Sequence, residues 1–197
     1  MSMASLPEIR LAVPSYALTP PSPSEYEPLR QLEIRGLGSS WIWRGETPSP
    51  EAYAARMWLG VVARFTVVRI RDGQPLGIVI ASNADFEAGH LEVSVGSFSS
   101  SPLMIRGAAR FISYCLCTWG LRRVFFRVPS FNEEKIGGFL GRWTQLNGRL
   151  PEYISHRGEV HALSIYSLSS DIWLGSSMHR SVLNEQRTPS PPVRNST

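Results

Sequence analysis

His90–Asn132 reads HLEVSVGSFSSSPLMIRGAARFISYCLCTWGLRRVFFRVPSFN, and the hydrophobic period changes several times within it. His90 to Val95 alternates, so His90 and Glu92 share one face of a predicted strand. A run of serines follows at Ser97, Ser99, Ser100 and Ser101. Ser101 is a good N-cap and Pro102 a good first helical residue, which opens a helix over Ser101–Trp119. Met104, Ala108, Phe111, Cys115, Leu116 and Trp119 supply its apolar spacing, and Gly120 sits at its C-cap. Arg123 to Val128 is predicted as a strand and Asn132 to Trp143 as a helix.

Upstream, Ile9 to Val13 alternates as a first strand, and Pro14 to Pro23 reads as a proline-rich connection. Ser24 followed by Glu27 has the capping-box spacing for a helix to about Arg35, ended by Gly36 and Gly38. A second helix opens at Thr47–Pro50 and carries Tyr53, Met57, Leu59 and Val61. Phe65–Arg71 and Pro75–Ala81 flank the hairpin turn Asp72-Gly73, and Asn83–Gly89 is a polar turn. Glu159 to Leu168 is a last strand. These elements predict an α/β fold, a mixed central sheet flanked by helices. Residues 8–174 form the expected domain, and 175–197, rich in Ser, Pro, Arg and Asn, an expected disordered tail.

With 197 residues and 43% hydrophobic content, one domain with a sizeable core is expected. Basic residues exceed acidic ones by four and are scattered, so no nucleic-acid partner is implied. Cys115 and Cys117, the only cysteines, point apart at i,i+2 on a helix, and the four histidines lack metal-ligand spacing. No apolar run reaches transmembrane length, and Met1–Pro7 lacks a signal-peptide core. A reduced, cytoplasmic protein without metal or membrane partner is the expectation.

Local wording adds to the element order. Asp72–Val79 (DGQPLGIV), Tyr114, Gly120–Val124, Val128-Pro129 through Asn132, Asn147–Leu150, Gly158, Tyr166–Leu168 and Trp173 follow one another in a fixed order and spacing. In that order they resemble the GCN5-related N-acetyltransferases (GNAT family), closest to the branch of ribosomal-protein N-acetyltransferases. The resemblance covers about four-fifths of the chain. It implies acetyl-CoA, or another acyl-CoA, as cosubstrate and a primary amine as acceptor, either a protein N-terminus or a small molecule. A homodimer is left open.

The resemblance also implies a site. Pantetheine would pair with the backbone of Val93, Ser94 and Val95, and the pyrophosphate would sit on the following helix N-terminus, where unpaired N–H groups and the dipole favour anions. The family writes that loop with glycines, whereas counting back from Tyr114 puts Ser100 and Pro102 at their places. Two readings stay open: Ser99, Ser100 and Ser101 substitute hydroxyl donors, with Arg106 near a phosphate, or the loop has degenerated and the fold serves as a binding module without CoA turnover. Asn132 matches the family's cofactor-contacting Asn, and Lys135 stands where a Ser is common.

Amine acylation needs a neutral nucleophile, and a lysine-like amine has a pKa near ~10.4, so a general base is required. Glu92 is the first candidate and His90 the second, against the alternative of a solvated Glu and a structural His. No Tyr lies between Val128 and Leu150 to serve as general acid. Trp41, Trp43, Tyr53 and Trp58 form either an acceptor wall or plain core. The expected function is direct acyl transfer from acetyl-CoA to an amine.

Overall fold

A computed structural model describes residues 8–36 and 46–187. Eight strands form one mixed sheet: β1 (Ala12–Val13), β2 (Tyr16–Thr19), β3 (Val61–Arg69), β4 (Pro75–Asp85), β5 (His90–Ser97), β6 (Arg123–Pro129), β7 (Gln145–His156) and β8 (Glu159–Ser169). Their order across the sheet is β1-β2-β3-β4-β5-β6-β8-β7. Only β5 and β6 pair in parallel; the other neighbours are antiparallel. The α/β class and the mixed sheet flanked by helices follow the sequence reading.

One face is covered by α3 (Pro102–Thr118), α4 (Ser130–Trp143), α5 (Ser170–Leu174) and α6 (Ser177–Arg187). Phe111, Ile112, Cys115 and Leu116 of α3 pack there with Val67, Leu91, Val93 and Val124. The approach is close: a Cβ on Gly107 would lie 2.6 Å from Val67 Cγ1, so only glycine lets α3 settle on β3. The other face carries α1 (Tyr26–Gly36) and α2 (Pro50–Arg56), whose Leu29, Tyr53 and Met57 meet Phe98, which also packs on Ile78 and Ile80.

Several elements differ from their sequence reading. The Pro14–Pro23 connection contains β2, held by β3 from Tyr16↔Arg69 to Thr19↔Thr66. The reciprocal cap falls on Ser22 and Glu25, whose carboxylate accepts from Ser22 N at 2.7 Å, while Glu27 pairs with Arg30. The second helix stops at Arg56, because Val61 is already committed to β3.

The tail expected from 175 is corrected over Ser177–Arg187, which is α6 with His179 and Val182 buried; residues 188–197 lie outside the described ones. Its anchor is Arg110 of α3, 0% exposed, which donates to Tyr16 Oη (3.0 Å), Arg10 O (2.8 Å), Val182 O (3.0 Å), Glu185 (2.8 Å) and Gln186 (3.3 Å). A buried guanidinium is tolerated only when paired and hydrogen-bonded in this way. Burial, the dominant effect, pushes the Tyr16 phenol above its ordinary range. Cys115 and Cys117 are both free and buried. No helix among the described residues is long and apolar enough to cross a membrane.

Trp173 Nε1 donates to Ser113 Oγ (2.9 Å), and Ser113 Oγ shares a hydrogen bond with His179 Nδ1 (3.0 Å). Burial lowers the His179 pKa from 6.5. The unfolded chain therefore takes up the proton first, and this site's stability is complete above about pH 6.5 and declines as pH falls toward the folded pKa. His179→Gln should lose less stability between pH 7 and pH 5 than the native chain in urea titrations. Equal losses in the two proteins would show that His179 does not set this slope.

Candidate functional site

Two neighbouring strands part company at the centre of the sheet. β5 and β6 are registered over three pairs only, His90↔Arg123, Leu91↔Val124 and Glu92↔Phe125. Beyond them β5 stays with β4 as far as Ser97↔Gly77, and β6 stays with β8 as far as Pro129↔Leu163. A cleft opens between residues 93–97 and 126–129. In an antiparallel pair, alternate residues turn their N–H and C=O groups away from the partner strand. On β5 those groups face the cleft.

The mouth of the cleft lies where both strands end and both following helices begin, the place where open α/β sheets commonly bind ligands. α3 starts on Ser101, whose Oγ accepts from Leu103 N at 3.3 Å. α4 starts on Pro129 with no side-chain cap. Two positive dipole ends thus flank one opening. The serine loop is organised by its own hydroxyls: Ser97 Oγ donates to Ser99 O, and Ser99 Oγ accepts from Ser101 N at 3.4 Å. Ser100 is exposed. Three serines therefore shape the loop, and Ser100 is exposed without a hydrogen bond to the loop.

Glu92 stands at the apex, its side chain 16% exposed. Its Oε2 accepts from Asn83 Nδ2 (3.1 Å) and meets Arg127 Nε (3.3 Å). Asn83 adopts φ +49° to reach it, a conformation Asn tolerates better than most residues. Glu92 pairs with Ser82 of β4 and Phe125 of β6, and paired residues share a face. Glu92, Ser94, Phe125 and Arg127 therefore lie on the Ile80 side, beneath α1 and α2.

His90 shares that face but lies two residues back from the apex, its ring edge-on to Phe125 at 5.4 Å. Val93 is buried on the opposite face, and Ser94 and Val95 continue along the parted stretch of β5. Asn132 lies in the first turn of α4 and accepts from Lys135 Nζ at 3.3 Å. Arg106 is a full turn into α3 and forms an ion pair with Glu185 of α6 at 3.1 Å. So Glu92, Val93, Ser94 and Val95 lie at or beyond the last β5–β6 pair, Ser99, Ser100, Ser101 and Asn132 lie at the starts of the two following helices, His90 pairs two residues back with Arg123, and Arg106 pairs with Glu185 of α6.

Of the aromatics expected as either an acceptor wall or core, Tyr53 is core: its Oη donates to Glu33 Oε1 at 2.6 Å, and Arg64 bonds both. Burial, first, and then Glu33 push the Tyr53 phenol above its ordinary range. Trp58 is half-exposed and donates to Tyr26 Oη at 3.0 Å. Trp41 and Trp43 lie outside the described residues. Arg127 is not singled out by the sequence, since the parting of β6 from β5 that exposes it is visible only in the strand pairing.

The same overall fold occurs in solved structures. A probable acetyltransferase matches with a TM-score of 0.63 and 22% identity, over 81% of this chain and 95% of that one. The spermidine N-acetyltransferase of Vibrio cholerae, solved with CoA and spermine, matches with a TM-score of 0.70 and 13% identity, over 82% and 99%. A probable acetyltransferase of the GNAT family from Chromobacterium violaceum matches with a TM-score of 0.65 and 17% identity, over 87% and 93%. The chain has the GNAT acetyltransferase fold. No protein-family model matches the sequence, and a search of curated proteins finds no significant match. Among the described residues no cluster of His, Cys, Asp and Glu could hold a metal ion.

In this fold the cleft depends on close packing at Gly77, where a Cβ would lie 2.3 Å from Gly96 O and 2.5 Å from Met104 Sδ. Gly77→Ala must displace the end of β5 or the first turn of α3. Overpacking of this kind costs about 1–3 kcal/mol, and the thermal midpoint should fall by several degrees. An unchanged midpoint would show that the loop yields freely.

Proposed function

We propose that the chain is an acyl-CoA-dependent N-acyltransferase that transfers an acetyl group to a primary amine by direct attack. The parting of β5 and β6, with the start of α3 at its mouth, is the observation that carries this reading. The free backbone groups of 93–95 suit an extended amide-bearing arm such as pantetheine. The N–H groups at the start of α3, with the Ser100 hydroxyl, suit a pyrophosphate. Asn132, in the first turn of α4, is the residue this reading assigns to a cofactor contact from that helix.

Glu92 is the base in this reading. Its Oε2 is held by Asn83 and Arg127, which leaves Oε1 to take the acceptor's proton, directly or through water. As the amine nitrogen bonds to the acyl carbon, the C–S bond breaks and the thiolate departs with CoA. A thiol with pKa near ~8.5 leaves without a dedicated acid. His90 is the lesser candidate, since its ring is occupied by Phe125 below the apex. The free, buried cysteines suit a reducing compartment, which supports a cytoplasmic location.

A second reading, a binding module on this fold without CoA turnover, is favoured by one observation: Arg106 is taken up by Glu185, and Ser97, Ser99 and Ser101 serve the loop rather than a ligand. Thermal denaturation of the purified protein with CoA and acetyl-CoA separates the two. Binding should raise the midpoint by mass action, and Ser100→Asp should abolish most of the rise. No rise at millimolar CoA would favour the second reading.

Glu92→Gln should retain the CoA-induced rise and lose about 10²–10⁴-fold in turnover. Native turnover should climb with pH through an ionisation that the Gln variant lacks. Coincident pH–rate profiles would remove Glu92 as the base.

A further inference from the structure

We infer that the acceptor is a free α-amino acid, selected by Arg127 through its carboxylate; this rests on the acyltransferase reading above. Arg127 lies on β6 two residues past the last pair with β5, on the wall of the cleft and on the Glu92 face. Its side chain is 45% exposed. Its closest approach to Glu92 is through Nε at 3.3 Å, and its terminal nitrogens donate no hydrogen bond to the described residues.

The apex thus presents a carboxylate with one oxygen to spare beside a guanidinium with its outer edge to spare. An α-amino acid is the matching zwitterion. Its ammonium and carboxylate are separated by one carbon, and Glu92 and Arg127 are in contact, so both ends are met without a spacer. A guanidinium takes a carboxylate through paired, charge-assisted hydrogen bonds. A polyamine meets the opposite field: the parted walls, 93–97 and 126–129, carry Arg127 and no acidic residue. Of the acids on this face, Glu33 of α1 is buried and paired with Arg64, and Glu92 is paired with Arg127 itself. A peptide N-terminus has an amide where the amino acid has its carboxylate, and it leaves Arg127 unmatched.

During the reaction the ammonium gives one proton to Glu92 and the neutral nitrogen bonds to the acyl carbon. The thioester C–S bond breaks, CoA leaves as thiolate, and the second nitrogen proton passes to solvent. The acceptor carboxylate stays on Arg127 throughout and is unchanged.

The test follows thiol release by the full-length protein with acetyl-CoA and a panel of acceptors. The panel pairs free α-amino acids with their α-amides and adds tripeptides with free N-termini and spermidine. The best amino acid should exceed its own amide in kcat/KM by about 10- to 100-fold, the range for a hydrogen-bonded charge. Arg127→Met should bring that ratio to within about threefold of unity through KM, and Arg127→Lys should restore part of it. A retained CoA-induced thermal shift would show that the variants are folded. Equal or better use of amides, peptides or spermidine, or an undiminished preference in Arg127→Met, overturns this inference and leaves acyl transfer standing. Thiol release with no acceptor overturns it too, and if CoA also fails to shift the midpoint, the acyltransferase reading falls with it.

Discussion

Two half-sheets joined by a three-residue parallel ladder are the constraint on which the rest of this structure depends. β5 commits its backbone to β4 and β6 commits its backbone to β8, so past Glu92 and Phe125 neither can serve the other. Backbone groups left unpaired inside a protein are costly unless water or a ligand meets them. Ser94, Val95 and Ser97 of the parted stretch are partly or fully exposed, and a ligand with its own amides can use the unpaired backbone groups there. The sheet would be weak at this seam if strand pairing alone held it. α3 lies across both halves, with Val67 and Leu91 on one side of the seam and Val124 on the other.

The position of α3 sets where the positive helix end meets the cleft, and its anchoring is correspondingly dense. Gly107 fixes how close it lies to β3, and Arg110 ties it to β2, to the strand entry at Arg10 and to α6. At its far end Ser113 joins it to Trp173 and His179. Glu185 is shared among Tyr16, Arg106 and Arg110. One carboxylate on α6 thus balances two guanidiniums on α3, and it draws Arg106 away from the mouth.

The elements that build the cleft were legible because each carries a strong local signal. β5 alternates, Ser101-Pro102 opens α3, Gly120 closes it, and the helical period between them is unbroken. What escaped the sequence is what tertiary pairing decides. β2 is four residues between prolines and exists because β3 offers a partner. α6 is polar enough to read as a tail, and its order comes from Arg110, a residue that periodicity alone places among solvated positions. The cap at Ser22 and Glu25 competed with an equally spaced Ser24 and Glu27, and Arg30 claimed the latter.

At the candidate site, Glu92 and the serine loop were singled out by their place relative to the strand and the helix start. Arg127 was not, because nothing in FFRVP shows that the strand leaves its neighbour at that point. Arg106 was placed near a phosphate on proximity in sequence, and an acid at Glu185, far along the chain, holds it elsewhere. The electrostatics of the cleft were thus less legible than its backbone.

Hydrogen–deuterium exchange with and without CoA tests the central claim most directly, since the claim concerns backbone amides. CoA should slow exchange in peptides covering 93–97 and 101–104 and leave those covering β7 unchanged. Protection confined to other segments, or none at saturating CoA, would contradict the assignment of the parted strands as the cofactor cleft.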